Sequence, residues 1–365
     1  MSVKALIISD YRDYHTSRPE ANVFIELAKS GFDIHIMTYG DAKYVEEFRA
    51  VGIKVIDFHP QKKMDKAEIE KIRNYLIDNK IDILHLFNSK SIINGIQAAK
   101  GLKVNVILYR GYAGNINWYD PTAYSKFLHP RVDTIICNSI GVEKYLHKQL
   151  FFDKKKTITI NKGHDLKWYK NYKPVDLRHE FKLPNNSLVL VNVANNRRMK
   201  GIPYLLEAMT LLPQSAEVHL ILIGRDMNTR SNQKILRKGN IIEKVHFAGF
   251  RPDALNLVAG ADAFVLSSIF GESITKSVIE AMSLGVAPLI TDIPGNVELV
   301  EDGVSGIVVK RKNSQELKEA ILRLYNDRNL CNKFGLAAQE RINNELNTKE
   351  TIRKTKDLYL SLVRK

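Results

Sequence analysis

The sequence has few cysteines, no long apolar run and no cysteine spacing typical of a metal site. Only Cys137 and Cys331 occur among its 365 residues, which excludes a disulfide framework. No apolar stretch approaches the length of a membrane-spanning helix. Residues 3–10 predict a first β-strand rather than a secretion signal. We therefore expect a protein of the reducing cytoplasm.

The 40 acidic residues are outnumbered by 55 lysines and arginines, so the formal net charge is +15. Such a balance favours anionic partners: nucleic acid, acidic lipid headgroups or phosphorylated substrates. The densest basic segment is 142–173, with nine lysines against three acidic residues. Aromatic and leucine side chains interrupt it: Tyr145, Leu150, Phe151, Phe152, Trp168, Tyr169 and Tyr172. No signature of a nucleic-acid-binding motif surrounds it. The segment suits an anionic membrane surface, and an ordinary solvated basic face explains it equally well.

The apolar pattern predicts two similar α/β halves. The composition, 44% hydrophobic and 26% charged, is that of a globular protein long enough for two domains. In the first half, helical patterns at 21–30, 66–79 and 92–100 alternate with strands at 5–9, 33–38, 54–58, 83–87, 105–109 and 134–137. The second half has strands at 188–193, 218–223, 244–247, 263–266, 287–291 and 306–309. This rhythm indicates parallel, doubly wound sheets, which bind ligands beyond the carboxyl ends of their strands.

The stretch 267–288 has the clearest chemical pattern. Small polar residues and a glycine follow the strand at 263–266, and an amphipathic helix is predicted next, with Ser273 as its N-cap. Glu272 then lies on the loop and Glu280 about two turns into the helix, roughly 10 Å away on the same edge of the sheet. The free amides of the first turn lie between them and suit an anion. A nucleotide sugar has this layout of hydroxyls and phosphate, although two ordinary solvated glutamates are the alternative.

The motif Glu-x7-Glu, Ala-Met-x-x-Gly-x-x-Pro, with 291–300 and 302–306 after it, resembles the donor-binding region of retaining family 4 glycosyltransferases, glycosyl transferases group 1. The resemblance covers nearly the whole chain and is strongest over 192–309. It implies a GT-B fold: two facing Rossmann-like domains with a donor cleft between them. The acceptor domain would span 1–168 and the nucleotide-sugar domain 169–346. The terminal helix, 347–365, would pack back on the first domain.

The resemblance also implies roles for residues of the second half. The loop 194–201 resembles the family element whose basic residues neutralise the donor diphosphate, and Lys200 matches it directly. Arg197 or Arg198 stands in for a usual arginine. Lys200, Arg197 and Glu272 would be the catalytic residues, because leaving-group charge must be stabilised and the sugar hydroxyls held. The donor-binding set would be Glu280, Glu272, Ser273, Ile274, Thr275, Lys200, Arg197, Arg198, Gly224, Phe250 and Arg251.

The first half departs from the family pattern at several positions. Its loop 11–19 lacks the usual paired glycines. Arg18 in this loop could serve a phosphate or an acceptor, and a polar surface loop explains it equally well. His85 resembles a strand-end histidine of the family and is as readily a structural residue. Arg110 replaces the histidine of a His-Gly pair near the reacting sugar; it cannot act as a base but can hold a phosphate. Ser139 resembles the family's serine at the cleft. Lys162 replaces an asparagine.

The expected reaction is therefore transfer of a hexosyl group from a UDP- or GDP-sugar to a hydroxyl acceptor, with retained anomeric configuration. The acceptor would be a glycan or a lipid-linked sugar, in surface polysaccharide or glycolipid synthesis, at the inner face of the membrane. No cofactor or metal is expected, and no Asp-x-Asp sequence occurs. Two alternatives are a nucleotide-sugar epimerase, against which the Glu-x7-Glu and Lys-Gly elements argue, and a non-catalytic nucleotide-sugar-binding partner, which the missing glycines favour.

Overall fold

The computed structural model describes residues 3–150 and 154–363 and divides into two units. Unit 1 comprises Met1–Gly163 together with Asn347–Lys365, and unit 2 comprises His164–Leu346. The first boundary thus falls five residues before the one placed at 168 from the sequence. Residues Phe151 and Phe152 of the basic segment lie outside the described residues.

Unit 1 is built on a parallel sheet of seven strands in the order β3-β2-β1-β4-β5-β6-β7. The strands are β1 (Lys4–Ile8), β2 (Asp33–Thr38), β3 (Lys54–Asp57), β4 (Ile83–Leu86), β5 (Asn105–Arg110), β6 (Thr134–Cys137) and β7 (Thr157–Thr159). The helices are α1 (Tyr14–Lys29), α2 (Val45–Ala50), α3 (Lys66–Asp78), α4 (Ser89–Ala98), α5 (Ile140–His147) and the C-terminal Thr348–Val363. The order in which the strands are added to the sheet reverses between β1 and β4, which are parallel neighbours. In sheets of this kind, ligands bind at the carboxyl ends of the strands beside such a switch point.

Both faces of this sheet are covered, which explains the nearly continuous apolar strands. In β1 the side chains of Leu6, Ile7 and Ile8 are fully buried although they point alternately to opposite faces. Leu6 and Ile8 belong to one apolar cluster, and Ile7 belongs to the other. The sheet is therefore the middle of three layers, and only residues at the strand ends reach ligands.

Unit 2 repeats this plan with six parallel strands in the order β10-β9-β8-β11-β12-β13. The strands are β8 (Leu188–Val193), β9 (Val218–Ile223), β10 (Val245–Gly249), β11 (Ala263–Leu266), β12 (Ala287–Thr291) and β13 (Ile307–Val309). The helices are α6 (Leu177–Glu180), α7 (Ile202–Thr210), α8 (Arg230–Gly239), α9 (Ala254–Ala259), α10 (Lys276–Ser283), α11 (Ser314–Asn326) and α12 (Asn329–Asn344). The Thr348–Val363 helix of unit 1 is accordingly α13.

Helix α13 returns the chain to unit 1, where it packs against α1. Tyr359 is fully buried, and its hydroxyl lies 2.8 Å from Nδ1 of His85. At the other end of the helix, the hydroxyl of Thr351 donates to the carbonyl of Asn161 at 2.7 Å and accepts from the amide of Gly163. The last helix of the chain thus completes the core of the first unit.

Several element ends differ from the sequence prediction, and two helix starts and one additional strand are the differences described next. Helix α1 begins at Tyr14 rather than at 21, because the Asp13 side chain caps it by accepting from the amide of Thr16. Helix α10 begins at Lys276, with Thr275 rather than Ser273 as N-cap. Glu280 is therefore only the fifth residue of α10. Strand β7 at the edge of the first sheet was not predicted.

The basic segment 142–173 is divided by the boundary at Gly163. Tyr169, in unit 2, is buried and its hydroxyl hydrogen-bonds Nδ1 of His164. This aromatic ring therefore belongs to a core rather than to a surface. None of the helices within the described ranges combines the length and the apolar character needed to cross a bilayer.

Candidate functional site

The centre of the candidate site in unit 2 is the pairing of Lys200 with Glu272. Lys200 ends a 3-10 turn that follows β8, and Glu272 lies on the loop after β11. Their charged groups form a close ion pair, with 16% and 10% of the side chains exposed. Neighbouring strands of a parallel sheet bring their carboxyl ends together, so two distant sequence motifs meet here.

Hydroxyl groups fix the Glu272 carboxylate. Ser268 donates to Oε1 at 3.1 Å, and Thr275 donates to Oε2 at 2.9 Å. Ser267, directly before, donates to the carbonyl of Lys200 at 3.0 Å and ties the two loops together. A carboxylate has about four acceptor positions, and three are used by Lys200, Ser268 and Thr275. Glu272 is thus oriented with capacity left for a ligand hydroxyl.

The start of α10 is organised by a buried asparagine. The side-chain Oδ1 of Asn296 accepts from the amide of Thr275 at 3.0 Å, in place of a capping side chain on the helix itself. The Asn296 side chain is fully buried, and its Nδ2 has no hydrogen-bond partner among the described residues. Ser273 and Thr275 are buried beside it, and Ile274 packs on the core. Sequence reasoning missed Ser268 and Asn296, which contact Glu272 and α10 only in the folded chain.

Glu280 lies on the same helix and pairs with Lys276 at 2.8 Å. The side chain of Glu280 is 13% exposed, and that of Lys276 is 41% exposed. The Glu280 carboxylate is therefore largely buried beside a cationic partner, and only the lysine end of the pair is well exposed to solvent.

The remaining predicted donor residues of unit 2 differ in their surroundings. Arg197 and Arg198 are exposed, and within the described ranges their side chains form no ion pair. Gly224 follows β9, and its amide donates to the carbonyl of Gly249 at 2.8 Å. Arg225, next to it, lies over the exposed ring of Phe250 at 5.1 Å.

Arg251 is held by two carboxylates. Its guanidinium makes two 2.7 Å contacts with Asp253 and one of 2.6 Å with Glu180. The hydrogen bond to Arg251 lowers the pKa of the Asp253 carboxyl. The side chain of Arg251 is therefore already neutralised, which suits a loop whose backbone, rather than this guanidinium, meets a ligand.

In unit 1, His85 is buried on β4 beside a second charged pair. Nδ1 of His85 bonds Tyr359, and its Nε2 has no hydrogen-bond partner among the described residues. Burial, followed by the positive charge of Lys162, lowers the pKa of His85 to about 3. His85 is thus a neutral imidazole at physiological pH.

The positive charge near His85 belongs to Lys162, which the sequence marks only as a departure from a family pattern. Lys162 Nζ lies 3.2 Å from Oε2 of Glu20, and Ser9 donates to the other oxygen of Glu20 at 2.6 Å. Burial pulls the pKa of Lys162 down, but Tyr109 and Glu20 outweigh it, and the pKa lies above its ordinary value. A cavity of about 40 Å³ lies against His85, Glu20 and Lys162. It exceeds the roughly 10–15 Å³ that one water needs.

Arg110, Ser139 and Arg18 occupy three different settings. Arg110 ends β5 and is buried, with its Nε donating to the carbonyl of Tyr112 at 2.8 Å. Ser139 is the N-cap of α5, where its hydroxyl accepts from the amide of Val142. Arg18 lies on α1 with its guanidinium 5.7 Å from the ring of Tyr14. Arg110 thus directs a loop, and Ser139 has a structural role as a cap.

No group of three or more histidine, cysteine, aspartate or glutamate side chains within 3–150 and 154–363 could hold a metal ion. Both cysteines are buried and free. Burial raises the pKa of Cys137 to about 12 and that of Cys331 to about 11, so both remain thiols at neutral pH.

Comparison with known proteins places both halves in one enzyme class. Residues 176–341 match the family described as Glycosyl transferases group 1, and residues 21–168 match Glycosyltransferase Family 4. The chain is similar to UDP-Gal:alpha-D-GlcNAc-diphosphoundecaprenol alpha-1,3-galactosyltransferase from Escherichia coli, at 25% identity over 82% of this chain and 80% of the relative.

Two solved structures share the fold of the entire chain. A glycosyltransferase from Rickettsia africae ESF-5 superposes with a TM-score of 0.82 at 17% identity, covering 99% of each chain. Anabaena Alr3699/HepE in complex with UDP superposes with a TM-score of 0.76 at 18% identity, covering 99% of this chain and all of that one. The fold is the GT-B fold that the sequence predicts.

Proposed function

Since this chain belongs to the family 4 glycosyltransferases, we propose that it transfers a hexosyl group from a nucleotide-sugar donor to an acceptor hydroxyl with retention of anomeric configuration. Unit 2 binds the donor, and unit 1 binds the acceptor. The observation that carries this proposal is the Lys200–Glu272 pair, which is fixed by hydroxyl groups at the carboxyl edge of the second sheet.

The proposed donor site uses each of these groups for one part of the ligand. Lys200 has three N–H donors and can contact a phosphate oxygen while it remains paired with Glu272. Arg197 supplies a second positive charge, since it is exposed and makes no ion pair in the described chain. Glu272 holds sugar hydroxyls, and Glu280 exchanges Lys276 for the ribose hydroxyls. Charge that develops on the leaving diphosphate then meets donors already in place.

A uridine nucleotide is the donor best supported by the comparisons. The Anabaena protein HepE has been solved with UDP and with UDP-glucose, and the Escherichia coli relative is named for a UDP-Gal donor. That relative is also named for a diphosphoundecaprenol-linked acceptor. We therefore propose a UDP-sugar donor and a glycan or lipid-linked acceptor, in the synthesis of a surface polysaccharide or glycolipid, without a metal or other cofactor.

Transfer to a lipid-linked acceptor would take place at an anionic membrane. Exposed aromatic rings near lysines on unit 1 support such a location. Exposed aromatic side chains cluster between 112 and 124: Tyr112, Trp118, Tyr119 and Tyr124. The amide of Trp118 donates to Oε1 of Gln149, which brings this loop next to the end of α5 and its lysines. Aromatic rings beside lysines are typical of surfaces that lie at a bilayer interface.

The experiment that tests the function is calorimetric titration of the full chain with nucleoside diphosphates and UDP- and GDP-sugars. We expect one donor to bind and Glu280→Ala to weaken its binding about tenfold, because the ribose hydroxyls lose a charged acceptor. Glu243→Ala, on an exposed turn of the same unit, is the matched control. Release of free nucleoside diphosphate with an acceptor present then separates an enzyme from a non-catalytic binding partner. Absence of binding by every nucleotide would refute the proposal.

A further inference from the structure

A pocket of about 320 Å³ opens in unit 1 at the ends of β4 and β5, whereas the Lys200–Glu272 site belongs to unit 2. Small-molecule sites usually measure roughly 300–1,000 Å³, so this pocket has room for about one sugar unit. It is lined by Phe87, Ser89, Ile92, Tyr109, Arg110, Gly111, Tyr112, Lys126 and Phe127. The lining thus includes several aromatic rings and two cationic side chains, those of Arg110 and Lys126. No acidic residue belongs to it.

The guanidinium of Arg110 is the unusual group in this pocket because it is buried without an acidic partner. The residue is 6% exposed, and its guanidinium lies 3.7 Å from the ring centroid of Tyr112 and 5.0 Å from that of Phe127. Its Nε and Nη2 donate to the backbone carbonyls of Tyr112 and Gly114. No carboxylate within the described ranges pairs with it. Burial accordingly lowers the pKa of Arg110.

A buried cation without an anion is costly, and the cost falls when a ligand supplies the missing charge. The Nη1 group of Arg110 donates to no atom of the described chain, so this nitrogen of the guanidinium remains available to a ligand oxygen. Lys126 adds a second positive charge that is free of any ion pair in the described residues. The hydroxyl oxygen of Ser89 is buried and has no hydrogen-bond partner there.

The aromatic wall separates this pocket from the charged pair next to it. Phe87 and Tyr109 are stacked at 5.3 Å, and both rings line this pocket and the small cavity beside His85. Lys162 lies over Tyr109 on that other side at 4.5 Å, but Glu20 neutralises it there. The unbalanced positive charge is therefore that of Arg110 and Lys126, within the larger pocket.

We propose that this pocket binds an acidic sugar unit of the acceptor, with its ring against the aromatic side chains and its phosphate or carboxylate on Arg110 and Lys126. The identification of this sugar as part of the acceptor rests on the proposed function. The binding preference itself does not, because it follows from the lining of the pocket. A neutral sugar leaves the two cations without a counter-charge and binds more weakly.

The test is calorimetric titration of the full chain, at low salt and without donor, with a hexose 1-phosphate, a hexuronic acid and a methyl hexoside. We expect one acidic sugar to bind at least about tenfold more tightly than the neutral one, as for a hydrogen-bonded charged partner. The preferred acid shows whether the anion is a phosphate or a carboxylate. Equal binding of neutral and acidic sugars, or binding of none, would overturn the proposal.

Substitutions locate the site. Lys126→Gln should weaken binding of the acidic sugar about tenfold and leave the methyl hexoside unaffected. Lys103→Gln, on an exposed loop of the same unit, should change neither. Arg110→Gln removes the buried cation but also frees two loop carbonyls, so its folding must be checked by circular dichroism. Unchanged acidic-sugar binding in Lys126→Gln would remove the pocket from consideration even if Arg110→Gln unfolds.

The two proposals fail in different ways. If UDP-sugars bind and turn over but acidic sugars neither bind nor compete with the acceptor, the pocket assignment is wrong and the transferase function stands. If acidic sugars bind with the expected dependence on Lys126 while no nucleotide binds, the pocket stands and the function proposed for the chain is wrong.

Discussion

At the scale of single residues, Lys200 is the side chain whose loss should harm the reaction most. Its ammonium is held against Glu272 and needs no rearrangement to meet charge on a leaving diphosphate. We expect Lys200→Met to lower kcat/KM by about 10²–10³-fold, the usual effect of removing one preorganised donor. Steady-state kinetics with the donor found by calorimetry measures this. Lys333→Met, on the exposed face of α12, is the control, and equal kinetics in both variants would contradict the role.

His85 should make the stability of unit 1 depend on pH. Its pKa is about 3 in the folded chain against an ordinary 6.5, because burial and Lys162 disfavour the charged form. The unfolded chain therefore binds the extra proton between these values, and stability falls as pH decreases through that window. The expected loss from this group is about 2 kcal/mol between pH 7 and pH 5.

Denaturant unfolding at the two pH values, for the wild type and for His85→Gln, measures this contribution. The variant should be less stable at pH 7, since Tyr359 loses its partner, but its stability should change less with pH. Tyr359→Phe is the comparison that removes the hydrogen bond to Nδ1 and keeps the imidazole. An identical pH dependence in wild type and His85→Gln would show that His85 is not the group that titrates.

Candidate site residues could be recognised in the sequence only where a local motif surrounds them. Glu272, Glu280 and Lys200 lie in ordered motifs of the sequence, and the structure places Lys200 against Glu272. The Glu20–Lys162 pair was not predictable, because its members are 142 positions apart and the sequence marks Lys162 only as a departure from a family pattern. Ser139 could be recognised as a polar residue after a strand, but its role as a helix cap became visible only in the folded chain.

At the scale of elements, Gly201 connects the two loops that build the Lys200–Glu272 site. It has a left-handed backbone, φ 64°, and a Cβ there would lie 2.0 Å from the carbonyl oxygen of Ser267. We expect Gly201→Ala to cost about 1–2 kcal/mol for the backbone conformation and about 1–3 kcal/mol more for the steric overlap. Donor binding should weaken as well, because the overlap separates Lys200 from Glu272.

Gly101→Ala, in unit 1, is the matched control. Gly101 has a similar backbone angle, φ 74°, but a Cβ there meets no atom within 4 Å. It should therefore cost only the backbone contribution, and donor binding should remain. Thermal unfolding and calorimetry on both variants separate the two effects. Equal losses in the two variants would mean that contact with Ser267 does not hold the site together.

Elements were predicted well where the chain is buried on both sides and less well where tertiary contacts decide the boundary. Strands β2, β6, β8, β9, β11 and β12 have the bounds that the apolar pattern predicts, since nearly all of their residues are buried. The predicted start of α10 was wrong. The hydroxyl of Thr275 donates to Glu272, and the amide of Thr275 donates to the side chain of Asn296, 21 residues away. Local propensity cannot detect a cap supplied from that distance.

At the scale of the whole chain, both sheets place their polar residues at the carboxyl ends of parallel strands. In unit 2 these are the Lys200 and Glu272 loops, and in unit 1 they include His85 on β4 and Arg110 at the end of β5. Fold class and repetition of the plan followed from the sequence because strand and helix periods alternate throughout. The acidic-sugar pocket could not be predicted, because it depends on rings from 87, 109, 112 and 127 lining one pocket, with those of Tyr112 and Phe127 over a single guanidinium.

The charge of +15 belongs to the whole molecule, and the membrane proposal assigns part of it to one face. Lys154–Lys156 and the exposed rings of Trp118 and Tyr119 lie on unit 1, and Lys156 Nζ contacts the carbonyl of Pro130 at 3.3 Å. A lysine near an anionic bilayer contributes about 1 kcal/mol to binding. We therefore expect binding to anionic vesicles at low salt, weaker binding at high salt, and none to neutral vesicles.

Charge reversal at Lys154, Lys155 and Lys156 to glutamate should abolish this binding in a vesicle sedimentation assay. The matched control reverses Lys62, Lys63 and Lys66, which are exposed on the same unit, so the net charge changes equally. If both triple variants lose binding to the same extent, the attraction comes from overall charge and the proposed face is wrong. If only the first loses it, replacing Trp118 and Tyr119 by serine in the chain with its lysines intact should weaken the binding that persists at high salt, because contacts of the rings with the interface are not screened by ions.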